Sequence, residues 1–195
     1  MRFRYWFVQA ITVVRIPLGA VFATLLLTAP TGPLTPTRLW IAASVLLVAE
    51  LTDLVDGWLA RRWKVVTEWG AMLDPYADSM ARLIVYWGLA CSGLTWAVVP
   101  LVMALRDVTV SYCRVIWSKQ GSSVSAQWSG KVKAVVQGVA AFFLLLAPIA
   151  GPWWGDPQGV TTRTVASCCV ILITLYSGYD YARRAVSLIG AGAPR

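Results

Sequence analysis

Histidine is absent from all 195 residues. Ser-His and Cys-His nucleophilic chemistry are therefore excluded, as is phosphodiesterase chemistry of the phospholipase-D type, which needs a histidine. Acid–base work is left to carboxylates, and Asp and Glu together number only nine. Cysteine is also sparse. Cys91, Cys113, Cys168 and Cys169 show no C-x-x-C spacing and lie in apolar stretches, which predicts buried free thiols and neither disulfides nor a zinc site. Charge of either sign is low at 13%, against 58% hydrophobic residues and a mean hydropathy of +0.65. Apolar runs of about twenty residues recur, without the polar–apolar alternation of a β-barrel. The chain reads as one all-α integral membrane domain over residues 1–195, multi-pass, because lipid requires backbone polar groups to be satisfied within each segment. The first apolar run carries Arg15 and has no A-x-A cleavage site, so no separate signal peptide is expected.

The formal charge is +8, which raises nucleic acid as a partner. The bases are spread over short loops and helix ends, however, a pattern that records membrane topology and attracts anionic lipid; no nucleic acid is expected. Six spans are predicted: 8–27, 38–60, 70–91, 97–117, 132–149 and 164–181. A short interfacial segment of arginines and aromatics, Arg2 to Trp6, precedes them. Arg2, Arg4, the Arg61–Lys64 cluster, Lys119, Lys131, Lys133, Arg183 and Arg184 all fall on one side. The positive-inside rule makes that side, with both termini, cytoplasmic. Trp58, Trp63, Trp69, Trp96, Trp117, Trp153 and Trp154 fall near predicted interfaces, where indoles ordinarily sit.

What is present is concentrated between Asp53 and Asp78, reading D-x-x-D-G-x-x-A-R-x8-G-x3-D-x3-D. Asp53, Asp56, Gly57 and Ala60 share one helix face, and Asp74 and Asp78 stack at i and i+4 on the next helix. The short link between them makes the helices antiparallel neighbours, so both carboxylate pairs can face one polar cleft open to the cytoplasm. An aspartate at the bilayer centre costs about 2.5–3.5 kcal/mol on insertion scales. Four therefore call for a neutralising partner, and oxygen-only clusters suit Mg²⁺ or Mn²⁺, with shared carboxylates able to hold two ions. Arg61 offers a planar donor fork for phosphate. The competing account is structural, with the aspartates paired to arginines between helices. Glu50, one turn before Asp53, either orients a motif residue or pairs with an arginine. Asp180 reads as a surface acid.

This run resembles, at every position, the signature of the CDP-alcohol phosphotransferase family, including the eight-residue gap before Gly70. The resemblance implies a usually dimeric membrane enzyme that transfers a substituted phosphate from a CDP-linked donor to an alcohol and releases CMP. It further implies that Asp53, Asp56 and Asp74 bind one divalent cation. Asp53, Asp74 and Asp78 would bind the second, with Asp78 also the general base. Gly57, Ala60, Arg61 and Gly70 would line the cytidine diphosphate site.

Arg106-Asp107, Arg114, the run Ser129-Gly130-Lys131-Val132-Lys133, Gln137 and Thr12-x-x-Arg15 resemble the branch that uses CDP-diacylglycerol as donor and glycerol 3-phosphate as acceptor. That resemblance implies that Arg106, Arg114, Lys131 and Lys133 bind the acceptor phosphate; cytoplasmic topology is the plainer account of the same bases. Two positions depart from the branch pattern. Ser79 stands where lysine is common, with Arg82 one turn further on, and Gln9 stands in place of asparagine. Other acceptors (inositol phosphate, serine, phosphatidylglycerol) share the chemistry. A transporter with an acidic midmembrane site and an inactive lipid-binding scaffold are the rivals from other classes, and acceptor-dependent CMP release separates both from an enzyme.

Overall fold

The computed structural model describes residues 2–28, 34–63, 68–119, 128–156 and 159–192. Those residues form six long helices and one 3-10 turn, with no strand among them. The helices are α1 (Arg2–Leu27), α2 (Pro36–Trp63), α3 (Glu68–Cys91), α4 (Val98–Lys119), α5 (Trp128–Ala150) and α6 (Val160–Gly192), and Gly151–Trp154 is the 3-10 turn. The aromatic and basic N-terminal residues are the opening turns of α1, continuous with it, and form no separate interfacial element. Likewise α6 extends well beyond the predicted 181.

Among the described residues three helical stretches are long and apolar enough to cross a membrane: Trp6–Leu27, Trp128–Trp153 and Val160–Ser187. The protein is thus a membrane protein. α2, α3 and α4 have the length, at 28, 24 and 22 residues, but carry the charged side chains described below.

Sharp connections keep neighbouring helices antiparallel. α3 ends in a Schellman closure: the Leu94 N–H donates to the Leu89 carbonyl at 2.9 Å and the Gly93 N–H to Ala90 at 3.0 Å. Gly93 has φ +75°, the left-handed conformation that this cap requires and glycine adopts without penalty. α6 is opened by Asp156, whose carboxylate accepts the Thr161 and Thr162 main-chain N–H groups at 3.3 and 2.7 Å.

The helices pack as two trios. α1 lies against α2 and α3, and α6 against α4 and α5; α3–α4, α2–α5 and α3–α5 contacts join them. The main apolar core occupies one end of the bundle, built from Phe22, Leu39, Leu46, Leu89, Met103 and Leu144 among others. Towards the other end the same helices turn polar inside. Trp117 departs from the interfacial expectation: it is buried and stacks on Tyr181 with ring centroids 5.7 Å apart. Among the thiols, all free, Cys113 is buried while Cys91 and Cys169 are exposed on the outer faces of their helices. In a membrane protein an apolar outer face meets lipid, so an apolar context need not mean an interior position.

Candidate active site

α1, α2 and α3 assemble the acidic half of the site. Arg15 and Thr12, one turn apart on α1, reach both neighbouring helices. The Arg15 guanidinium is buried; Nη1 pairs with Asp53 and Nη2 donates to Asp56 Oδ2 at 2.9 Å. Its Nε donates to the Thr12 carbonyl, which fixes the fork. Thr12 Oγ1 lies 2.9 Å from Asp56 Oδ2 and 3.3 Å from Asp74 Oδ1, bridging α2 to α3. A hydroxyl has one proton and can donate to only one of them at a time. Asp78 accepts from Arg82 Nε at 2.8 Å, one turn along α3, and Arg82 also faces Glu50. Arg15, Glu50, Asp53, Asp78, Arg82 and Gln137 line one partly open pocket.

Arg15 thus ties Asp53 to Asp56, Thr12 reaches Asp74, and Arg82 holds Asp78 together with Glu50. Sequence neighbours suggested no such cations. Arg15 belongs to another helix and Arg82 lies beyond the motif, so their reach to the acids is set by tertiary packing. Among the described residues no three acidic side chains converge on a common point that could hold an ion. The donor set still fits divalent cations in kind. It consists of carboxylate oxygens, with a threonine hydroxyl between two of them. Five carboxylates, counting Glu50, face two described guanidiniums, a formal excess of three negative charges. Such an excess in a low-dielectric setting is relieved by further cations or by protonation.

Gly57 is half-buried on the Asp53–Asp56 face and Gly70 is buried near the start of α3. Ala60 and Arg61 belong to the last turns of α2, but their side chains lie outside the described residues, as does Lys64.

The basic half is built by α4, α5 and α6. Asp107 Oδ1 accepts from Arg106 Nη1 at 2.9 Å and from Lys133 at 3.0 Å; Lys133 is buried and Arg106 partly so. Arg106 Nη2 donates to Ser177 at 2.6 Å. The guanidiniums of Arg106 and Arg114 lie 5.3 and 5.9 Å from the Tyr181 ring centre, within cation–π range. Three of the four predicted acceptor ligands are therefore gathered around Asp107 and Tyr181. Lys131 is exposed, two positions from Lys133 and hence on the other side of α5. Arg106 Nε is buried with no hydrogen-bond partner among the described residues, a donor left over for an anion. Gly130 packs closely here: a methyl group in its place would come 3.3 Å from the Tyr181 hydroxyl, tighter than ordinary contact.

Residues 6–176 match the family described as CDP-alcohol phosphatidyltransferase. This chain belongs to that family. It is a phosphatidyltransferase enzyme, and the family is generally dependent on divalent metal. A Mycobacterium tuberculosis protein named probable phosphatidylglycerophosphate synthase is 34% identical over 151 residues, covering 77% of this chain and 68% of that protein. An Escherichia coli protein named CDP-diacylglycerol–glycerol-3-phosphate 3-phosphatidyltransferase is 35% identical over 144 residues, covering 72% of this chain and 75% of that one.

Several residues at the site had no role from sequence. Thr12 and Arg15 stood out only as a spacing, although an arginine inside an apolar run is itself a signal. Ser177 and Tyr181 carried none, because hydroxyls on a long apolar helix are unremarkable until the fold places them.

Proposed function

We propose that the protein transfers the phosphatidyl group of CDP-diacylglycerol to glycerol 3-phosphate, forming phosphatidylglycerophosphate and CMP. The observation that carries this reading is an acid-rich half and a base-rich half meeting in one bundle, joined where Arg82 binds Asp78 and donates to the Ala134 carbonyl beside Lys133. The names of the two relatives support the same donor and acceptor.

In this reading the acceptor phosphate sits among Arg106, Arg114 and Lys133, where the unused Arg106 Nε–H supplies a further donor. Lys131, on the other side of α5, would guide the dianion towards the pocket. Asp78 takes the proton from the acceptor hydroxyl as its oxygen attacks the phosphatidyl phosphorus in line. A new P–O bond forms, the bond to the CMP oxygen breaks, and no covalent enzyme intermediate is needed. Asp53, Asp56, Asp74 and Asp78 would hold two divalent cations, Mg²⁺ or Mn²⁺, whose positive charge favours departure of CMP. Gly57, Ala60, Arg61 and Gly70 would bound the nucleotide: the small residues let it approach backbone, and Arg61 suits its phosphates.

Six membrane passes follow from this arrangement. The charges that keep α2, α3 and α4 from being apolar enough are those of the site, turned inward where lipid does not meet them. The loop bases then put both termini and the open end of the cleft on the cytoplasmic side. A single domain working as a homodimer completes the picture.

The test is an acceptor panel. Purified protein with CDP-diacylglycerol, Mg²⁺ and labelled glycerol 3-phosphate should give labelled lipid and equimolar CMP, and chelation of the metal should stop both. Turnover of inositol phosphate, serine or phosphatidylglycerol in its place would keep the chemistry and replace the acceptor.

A further inference from the structure

The polar stripe of α3 continues past Asp78 to Arg82 and Tyr86, each one turn on. Arg82 is buried, at 8% exposure, and its guanidinium meets three helices at once. Nε donates to Asp78 Oδ1 at 2.8 Å on its own helix. Nη1 donates to the Ala134 carbonyl of α5 at 2.9 Å. Nη1 and Nη2 face the two Glu50 oxygens of α2 at 3.4 and 3.5 Å. Glu50 is itself confined, since a methyl group on Gly138 would sit 3.3 Å from both of its oxygens. One turn along, Tyr86 donates to the Gln137 carbonyl at 2.7 Å. Both α5 carbonyls also belong to its helical ladder, so these are second hydrogen bonds that set the register of α3 on α5. Ala134 is the neighbour of Lys133, which stands in the anion pocket.

We propose that Arg82, steadied by Glu50, is a positioning residue that fixes the Asp78 carboxylate relative to the anion pocket of α5, and so relative to the acceptor hydroxyl. This rests on the reading of Asp78 as base and Lys133 as part of the acceptor pocket. A guanidinium filled in three directions cannot turn. It occupies Asp78 Oδ1 and leaves Oδ2, which has no partner among the described residues, as the oxygen that receives the proton. A displacement of about 1 Å between base and hydroxyl is enough to cost about 100-fold in rate. A lysine at 82 would keep the charge, but a single ammonium lacks the planar fork that spans these acceptors.

The test compares wild type, Arg82→Lys, Glu50→Gln and the double variant in detergent, with rates scaled to the folded fraction and KM determined for each substrate. Arg82→Lys should lower kcat about 10- to 100-fold while the KM for CDP-diacylglycerol moves less than about 3-fold. Glu50→Gln should lower kcat about 10-fold. The double variant should be no slower than the slower single one, because Glu50 acts through Arg82. A purely structural pair would lower the thermal midpoint and leave kcat per folded molecule unchanged, which overturns the proposal. Losses that multiply in the double variant overturn it as well, since Glu50 would then act on its own. If Arg82→Lys does not fold, Glu50→Gln decides alone: wild-type kcat rejects the proposal and a loss confined to kcat sustains it. A wild-type protein inactive on every acceptor removes the functional reading and this proposal together. Active wild type with indifferent variants removes only this one.

Discussion

The two trios of helices handle charge in opposite ways. In α1–α3 five carboxylates face two described guanidiniums, whereas in α4–α6 Arg106 and Lys133 share the carboxylate of Asp107, Arg114 lies over the Tyr181 ring, and Asp180 is taken up by Ser129 and Arg184. One half carries an uncompensated negative charge and the other an uncompensated positive one. Neither half is electrostatically finished, and the two are unfinished in complementary senses: one suits cations and the other phosphate. A bundle that needed buried charge only for helix pairing would balance each half, because an unpaired ion in low dielectric costs several kcal/mol. In the proposed reading the imbalance is the functional part of the design, and substitutions in either half or at their seam should disturb it.

The largest effect is expected in the acidic half. Asp78→Asn keeps the shape and removes the basicity, so turnover should fall by about 100- to 10,000-fold, in the range of general-base catalysis. CMP binding, measured by calorimetry, should change little. Parallel loss of turnover and nucleotide binding would make Asp78 chiefly a ligand holding the acidic half together. In the basic half Arg106→Gln should act differently, raising the KM for glycerol 3-phosphate about 10- to 100-fold, the equivalent of a charged hydrogen bond. The KM for CDP-diacylglycerol should hardly respond. If both KM values rise together, the two halves do not divide the substrates between them.

The seam between the halves comes next in size. Gly138→Ala would press a methyl group against both Glu50 oxygens at 3.3 Å. Overpacking of this kind costs about 1–3 kcal/mol, and the thermal midpoint should fall accordingly. Since the displaced group is the Glu50 carboxylate, kcat should fall with it. A control at Gly93, where φ is +75° but no atom lies within 4 Å of an added methyl group, should lose stability without losing kcat.

Much of the acidic half could be read from sequence because its spacing is local. Asp53 and Asp56 share a face at i, i+3, and Asp74 and Asp78 at i, i+4, whatever surrounds them. The expectation that a short link makes α2 and α3 packed neighbours fails: among the described residues it is α1 that packs on both and joins them. Sequence could not say what would neutralise the acids, because Arg15 arrives from a helix some forty positions away and only the packing of α1 onto α2 and α3 brings it. The basic half shows the same limit. Arg106 and Lys133 were visible as charges in an apolar context, but their shared partner Asp107, the Ser177 hydroxyl and the Tyr181 ring are joined only when α6 folds back over α4 and α5. Trp117 illustrates the reverse error: position near a helix end predicted an interface, while its stacking on Tyr181 draws it inside.

The smallest effect concerns neither half but the loop that returns the chain to α6. Asp156 stands outside the membrane-spanning segments and caps α6, and its carboxyl is held below its usual range, first by the Thr162 main-chain N–H and further by the Thr162 hydroxyl and the Thr161 N–H. A depressed folded pKa means that the ionised cap contributes fully above the unfolded value of about 3.8. The contribution is lost as pH falls below that value and through the folded one. Asp156→Asn keeps a capping oxygen and gives up the titration, so its thermal midpoint at pH 7 should be slightly lower than wild type. The two midpoints should draw together as pH is taken below 3.8. A gap that is constant with pH would mean that the Thr162 contacts place the loop without drawing on the charge of the carboxylate. Activity towards glycerol 3-phosphate at pH 7 should be unchanged throughout, because the cap lies at the first turn of α6, several turns before Ser177 and Tyr181.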